Sequence, residues 1–219
     1  MCIRDRNPNQ PITPEEIAKE VIDSYKEGAS MWHVHTRDEK GFGSSDPELF
    51  KKVEDLIFKE CPDIVTSISP WADFTKKGSG IIRPLVDPLI EFGHKYCELA
   101  VITPISATVA SFTTTVNEET LVDTVTYLQD KGVKPEFMGH NYQAIEDIKN
   151  WLIKPGILKK PYFINVAMGM HHSAPTTPDP WGLINLITMI NMLPDDTVKG
   201  ANIGGFIKVA DSMLDQGVV

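Results

Sequence analysis

Apolar residues recur along this chain in two alternating rhythms. One is the three-to-four spacing of a helix with a single buried stripe. The other is a short β-branched run closed by turn residues. Thr13-Pro14-Glu15-Glu16 opens the first helix, with Thr13 as N-cap, Pro14 in the first turn and Glu16 reaching back as a capping box. Ile17, Val21, Ile22 and Tyr25 form its stripe, and Gly28 closes it. Met31 to Thr36 reads as a strand. Asp46-Pro47 starts a second helix with Leu49, Val53, Leu56 and Ile57 inward. A strand over Asp63 to Ser69, a weaker helix in Ile81 to Phe92 and a strand over Tyr96 to Thr103 come next. A polar, Thr-rich loop leads to a helix capped by Asn117, with Leu121, Val122, Val125 and Leu128 inward. The pattern continues with a strand from Lys134 to His140, a helix from Ala144 to Ile153 and a strand from Tyr162 to Met168. A proline-rich loop, an apolar helix from Trp181 to Met192, a strand from Val198 to Ile203 and a helix from Ile207 to Leu214 complete it.

Strand entries fall roughly 30 residues apart, the size of a βα unit in a (β/α)8 TIM barrel. Strands alternating with helices give a parallel sheet, so the fold class is α/β. Six strands are predicted, with Gly217-Val218-Val219 as a further stub, so the barrel is incomplete. An open doubly wound sheet is the alternative. It usually shows a glycine-rich phosphate loop after its first strand, and none follows Met31 to Thr36.

Composition narrows the function. A net charge of −9 without a block of Lys or Arg argues against a nucleic-acid groove or an anionic membrane surface. Arg37 and Arg83 are among the few candidates for holding an anionic substrate. Cys2, Cys61 and Cys97 are odd in number and scattered, as expected of reduced thiols in a cytoplasmic protein. No apolar run approaches the ~20 residues of a membrane span. Met1 to Arg6 reads as a stray leader, leaving a single domain over 7–219.

The chemistry gathers at the predicted strand ends. His33 and His35 lie two residues apart, so a strand presents both imidazoles on one face and Val34 on the other. Two neutral imidazoles are half of a zinc site; one structural and one solvated histidine is the alternative. In a parallel barrel all C-terminal strand ends share one face. Besides the pair and Arg37, those ends carry Ser67 and Ser69; Thr103; Glu136, His140 and Asn141; His171 and His172; and Asn202. Singly, Ser69 or Thr103 reads as a cap or loop hydroxyl, whereas two groups of histidines on one face point to a metal. His94 falls elsewhere and reads as a surface residue.

These residues resemble a known family. Asn7-Pro8-x-x-Pro11-Ile12-Thr13-Pro14-Glu15-Glu16-Ile17-Ala18, then Gly28-Ala29 and His33-x-His35-x-Arg37-Asp38, are similar to the β-keto acid cleavage enzymes, whose type member is 3-keto-5-aminohexanoate cleavage enzyme. Gly132-Val133-Lys134-Pro135-Glu136 resembles the family's fifth-strand motif, and Lys159-Lys160-Pro161 with Met168-Gly169 its sixth-strand entry and exit. The resemblance implies a (β/α)8 barrel, a zinc-dependent acyltransferase, and a β-keto acid and acetyl-CoA as substrates. The products implied are acetoacetate and a new CoA thioester, formed by Claisen and retro-Claisen steps. It implies His33 and His35 as metal ligands, Arg37 and Glu136 as catalytic residues, and Ser69 and Thr103 as substrate contacts. Zinc is implied as the Lewis acid that stabilises the enolate. It also implies a homo-oligomer for the full-length protein.

Departures from the family pattern are local. Trp71-Ala72 stands where the family has Gly-Gly after its serine, Met138 where it has a second acidic residue, and His140-Asn141 where it has an apolar-Asp pair. The family's remaining metal ligand and acid/base residues belong to an eighth strand, and a further acidic residue to a first strand. Neither strand is found between Asn7 and Val219, so the reading expects a barrel without its first and eighth strands, inactive as this fragment. The competing class is a metal-dependent hydrolase of amidohydrolase type. It also uses a strand-end His-x-His, with later histidines where His140 and His171 fall, but on its first strand.

Overall fold

The computed structural model describes residues 10–73, 75–104, 107–109, 112–167 and 180–194. The chain divides into two compact units, Met1–Ile102 with Asp123–Pro135, and Thr103–Val122 with Glu136–Val219. Among the described residues β1 (Met31–Val34), β2 (Val65–Ile68) and β3 (Leu99–Ile102) run parallel in the first unit, β6 (Lys134–Gly139) pairs parallel with β7 (Phe163–Val166), and β4 (Ala107–Val109) pairs antiparallel with β5 (Phe112–Thr114).

The first unit begins with α1 (Pro14–Lys26), whose capping box forms as the sequence predicts. The Thr13 hydroxyl accepts from the Glu16 N–H at 3.2 Å, and the Glu16 carboxylate accepts from the Thr13 N–H at 3.1 Å. Gly28 takes a positive φ of 105°, a conformation that favours glycine, and the chain turns into β1 (Met31–Val34). The strand is two residues shorter than predicted. Thr36 is buried instead, its hydroxyl donating to the Ser44 carbonyl at 2.8 Å. That bond, with an isolated antiparallel bridge between Arg37 and Gly43, ties down the loop that follows the histidine pair.

Asp46 caps α2 (Pro47–Glu60) through the Glu48 N–H. Its buried positions are Phe50, Val53, Glu54 and Ile57. Predicted Leu49 and Leu56 are only half-buried, so the buried stripe is rotated by one position and takes a glutamate with it. Ile17, Ala18, Val21, Trp32, Val53, Ile57, Cys61 and Ile64 close into one core between α1, α2 and the strands. Each such aliphatic side chain contributes about 1.5–3 kcal/mol of burial.

β2 (Val65–Ile68) pairs parallel with β1, His33 opposite Ser67, and β3 (Leu99–Ile102) pairs with β2. Between them lie α3 (Arg83–Phe92) and a 3-10 turn over His94–Cys97, so the predicted strand from Tyr96 begins only at Leu99. Thr66 explains the late start. Its hydroxyl donates to the Lys95 carbonyl at 2.8 Å and accepts from the Glu98 N–H at 3.1 Å, holding that turn against β2.

The second unit corrects the Thr-rich loop. Within it, β4 (Ala107–Val109) and β5 (Phe112–Thr114) form an antiparallel pair. α4 (Glu118–Asp130) starts where Asn117 caps it, the Asn117 side chain accepting from the Thr120 N–H at 2.9 Å. β6 (Lys134–Gly139) pairs parallel with β7 (Phe163–Val166), Met138 opposite Asn165. A Cβ on Gly139 would lie 2.5 Å from Ile145 Cδ1, so a larger residue there would require the end of the Ile145 side chain to move. That helix, α5 (Tyr142–Asp147), passes into a π-helical turn over Ile148–Ile153, where the sequence predicts one continuous helix. α6 (Pro180–Met192) buries Gly182, Leu186 and Met189 and leaves Trp181, Ile184 and Ile187 at least half exposed. No described helix is long and apolar enough to cross a membrane. The predicted strand at Val198 to Ile203 and helix at Ile207 to Leu214 lie outside the described residues.

Candidate metal and substrate site

The alternation of β1 decides which chemistry faces which way. Trp32 points into the helix-packed core, so its neighbour His33 points to the opposite face. The same alternation on β2 sends Thr66 toward the Lys95 turn and Ser67 toward His33. His33 Nδ1 lies 3.3 Å from the Ser67 hydroxyl. His35 follows the end of the strand, and its ring meets that of His33 edge-on, with centroids 5.2 Å apart and planes at 86°.

Both imidazoles are held neutral. Burial, then the neighbouring His35, brings the His33 pKa down to about 4, while a backbone hydrogen bond with Ser67 pushes the other way. His35 is more open to solvent, yet the protein crowded around its inner side and then the Arg37 guanidinium also hold it below the usual imidazole range. A neutral imidazole has the lone pair that a cation needs. The centroid spacing matches what one shared ion would require: two ring nitrogens at about 2.0–2.1 Å from a tetrahedral zinc place the ring centres roughly 5 Å apart. Among the described residues no set of three His, Cys, Asp or Glu side chains gathers around a point that could hold a metal ion.

A cavity of about 530 Å³ runs along α1 and β1, lined by Ile17, Val21 and Ser24 as well as by Trp32, His33, His35 and Arg37. Arg37 donates from Nη1 to the Gly41 carbonyl at 3.2 Å, which anchors the guanidinium at the cavity wall. Arg83 is engaged elsewhere, over the Tyr127 ring at 4.5 Å and toward the Ser79 hydroxyl. Ser69 stands half-buried just past β2. The segment after it is fixed by Ala72 and Asp73 N–H groups, which both donate to the Ile81 carbonyl. Thus Trp71-Ala72 occupies a tied-down backbone rather than a glycine hinge.

In the second unit Thr103 is half-buried beyond β3, and Glu136 is buried on β6. The Asn165 amide on β7 donates to the Glu136 carboxylate. His140 is buried at the end of β6, and its Nδ1 has no hydrogen-bond partner among the described residues; burial lowers its pKa. His94 is exposed, as predicted, and its Nε2 lies 3.0 Å from the Gly132 carbonyl. His171, His172 and Asn202 lie outside the described residues. Reading from sequence alone missed Ser67 as a partner of His33 and Asn165 as a partner of Glu136. Strand register is the signal that joins both pairs, and it needs the fold.

A family model described as beta-keto acid cleavage enzyme matches residues 2–213. The chain belongs to the β-keto acid cleavage enzyme family. It is 27% identical over 196 residues to 3-keto-5-aminohexanoate cleavage enzyme of Acetoanaerobium sticklandii, covering 89% of this chain and 66% of that protein. It is 24% identical over 219 residues to 3-dehydrocarnitine:acetyl-CoA trimethylamine transferase of Rhizobium meliloti, covering 89% of this chain and 68% of that one. The apo structure of ObcA aligns with a TM-score of 0.59 at 20% identity, over 80% of this chain and 38% of that chain, a likeness of fold. The chain thus spans about two thirds of the length of these curated members of the family. Its parallel strands with intervening helices are the α/β architecture that the sequence predicts.

Proposed function

We propose that the whole protein is an acyltransferase that cleaves a β-keto acid at the expense of acetyl-CoA, releasing acetoacetate and the CoA thioester of the remaining acyl group. Family membership supports the reaction class. The observation that carries the residue assignment is the neutral imidazole pair, 5.2 Å apart, on the wall of a cavity shared with Arg37. His33 and His35 are the residues that would hold a divalent cation, zinc by the nature of the ligands. When bound, such an ion supplies Lewis-acid stabilisation of negative charge on keto and carboxylate oxygens. Each imidazole stays neutral at neutral pH, with one nitrogen lone pair free, because burial opposes a second protonation.

Arg37 supplies positive charge to an acidic substrate in an otherwise acidic protein, and its anchoring on Gly41 reduces the freedom lost on binding. The Ser69 hydroxyl is a donor for a developing oxyanion. For Thr103 and Glu136 the proposal keeps the roles that the resemblance implies, substrate contact and proton handling, with Asn165 holding the Glu136 carboxylate. The test is to incubate the zinc-loaded whole protein with acetyl-CoA and a panel of β-keto acids and to follow CoA thioesters by mass spectrometry. A new acyl-CoA matching one acid, formed with acetoacetate and lost in His35→Ala, is the expected result. No new thioester with any acid would remove the proposal.

A further inference from the structure

We propose that Ser67 positions His33 for cation binding by fixing its tautomer. The inference rests on the metal reading above and adds a residue which that reading does not assign. Register places Ser67 directly opposite His33 in the parallel pair of β1 and β2, so their side chains leave the sheet on the same face. The hydroxyl of Ser67 lies 3.3 Å from His33 Nδ1, and the serine is 0% exposed. A hydroxyl without access to water takes its partners from the protein, as donor, acceptor or both. His33 is itself half-buried, so water does not compete freely for Nδ1.

A neutral imidazole carries its proton on one nitrogen and a lone pair on the other. With Nδ1–H donating to the serine oxygen, the lone pair sits on Nε2, the nitrogen turned away from Ser67. The opposite tautomer would place the lone pair against the serine and a proton where the cation must bind. Metal-bound histidines are oriented in this way by a partner on their second nitrogen. Here the partner sits on the adjacent strand, so the sheet's own hydrogen bonding sets the direction of the ligand. Ser67 is therefore a positioning residue, acting through His33.

The experiment uses two readouts on the whole protein and its Ser67→Ala and His33→Ala variants. Long-range proton–nitrogen NMR on the metal-free protein reports the tautomer of His33, and titration with zinc alone reports affinity. The expected result is an Nδ1–H tautomer in the parent. Ser67→Ala should mix the tautomers and weaken zinc binding roughly 10- to 100-fold, with the fold intact by circular dichroism. Ser67→Cys, which keeps the shape but is a poor acceptor, should behave like Ser67→Ala. An Nε2–H tautomer in the parent overturns the proposal. So does an unchanged tautomer and affinity in Ser67→Ala. If zinc binding is indifferent to His33→Ala, the metal reading itself fails, and the tautomer result shows separately whether Ser67 orients the ring.

Discussion

Glu54 gives the sharpest quantitative test of the first unit. It lies on the buried side of α2 with 0% exposure, and neither carboxylate oxygen has a hydrogen-bond partner among the described residues. Burial first, then the nearby Asp55 and Glu98 charges, pushes its pKa up to about 9, against a smaller pull from Lys51 and Lys95. The folded protein therefore keeps a proton that the unfolded chain releases near its ordinary value of 4.5. A raised folded-state pKa contributes stability that is complete below the unfolded value and is lost as the pH climbs to the folded one. The window is thus pH 4.5 to about 9. Its lower part overlaps the titration of His33, which acts in the opposite sense, so the clean range runs from about pH 6.5 to about pH 8.5. Each unit costs about 1.36 kcal/mol, giving about 3 kcal/mol across that range. For a chain of this size that is a fall of roughly 5–10 °C in melting temperature. Urea unfolding followed by tryptophan fluorescence at several pH values measures it. Glu54→Gln should abolish the slope while leaving a buried amide in place. A parent protein equally stable at both ends of the range, or a Glu54→Gln variant with the same slope, would refute the reasoning.

Other consequences follow from the same geometry. Because the folded-state pKa of His33 is lowered to about 4, metal-free Glu54→Gln protein, which lacks the opposing Glu54 titration, should lose stability as pH falls from 6.5 toward 4. The ceiling is about 3 kcal/mol, and His33→Asn should flatten that limb of the pH profile. Thr13→Ala removes the capping-box hydroxyl of α1 and should cost about 1 kcal/mol in chemical unfolding; no change in midpoint would contradict the capping role. Thr66→Val keeps the side-chain shape but leaves the Lys95 carbonyl and Glu98 N–H without their hydroxyl partner, with an expected loss of about 1–3 kcal/mol. Hydrogen exchange should accelerate in the Lys95–Glu98 turn of that variant, and unchanged exchange there would count against the network.

Much of the architecture is legible because its signals are local. Thr13, Pro14 and Glu16 specify the start of α1 without help from the rest of the chain, and Asp46 and Asn117 do the same for α2 and α4. The closeness of His33 and His35 was readable from their two-residue spacing, although β1 ends at Val34 and His35 lies just beyond it. What escaped the sequence depends on partners far away along it. Glu54 looks like a solvent-facing residue until the packing around α2 buries it. Tyr96 is apolar enough for a strand, but the Thr66 hydrogen bonds hold its neighbours in a 3-10 turn. The Thr-rich stretch carries no strong strand pattern, yet its backbone pairs as β4 and β5. Ser67 and Asn165 acquire their roles from register, which a single sequence does not spell out.

The central claim is that this family member moves an acetyl group from CoA onto the carbons of a β-keto acid at the His33–His35 site. The most direct measurement follows the label from acetyl-CoA carrying carbon-13 at its carbonyl, in a reaction of the zinc-loaded whole protein with its β-keto acid. The account predicts label at the keto carbon of acetoacetate, unlabelled acyl-CoA, and no such product from the His33→Ala, His35→Ala double variant. Label recovered only as free acetate, or transfer that survives loss of both histidines, would contradict it.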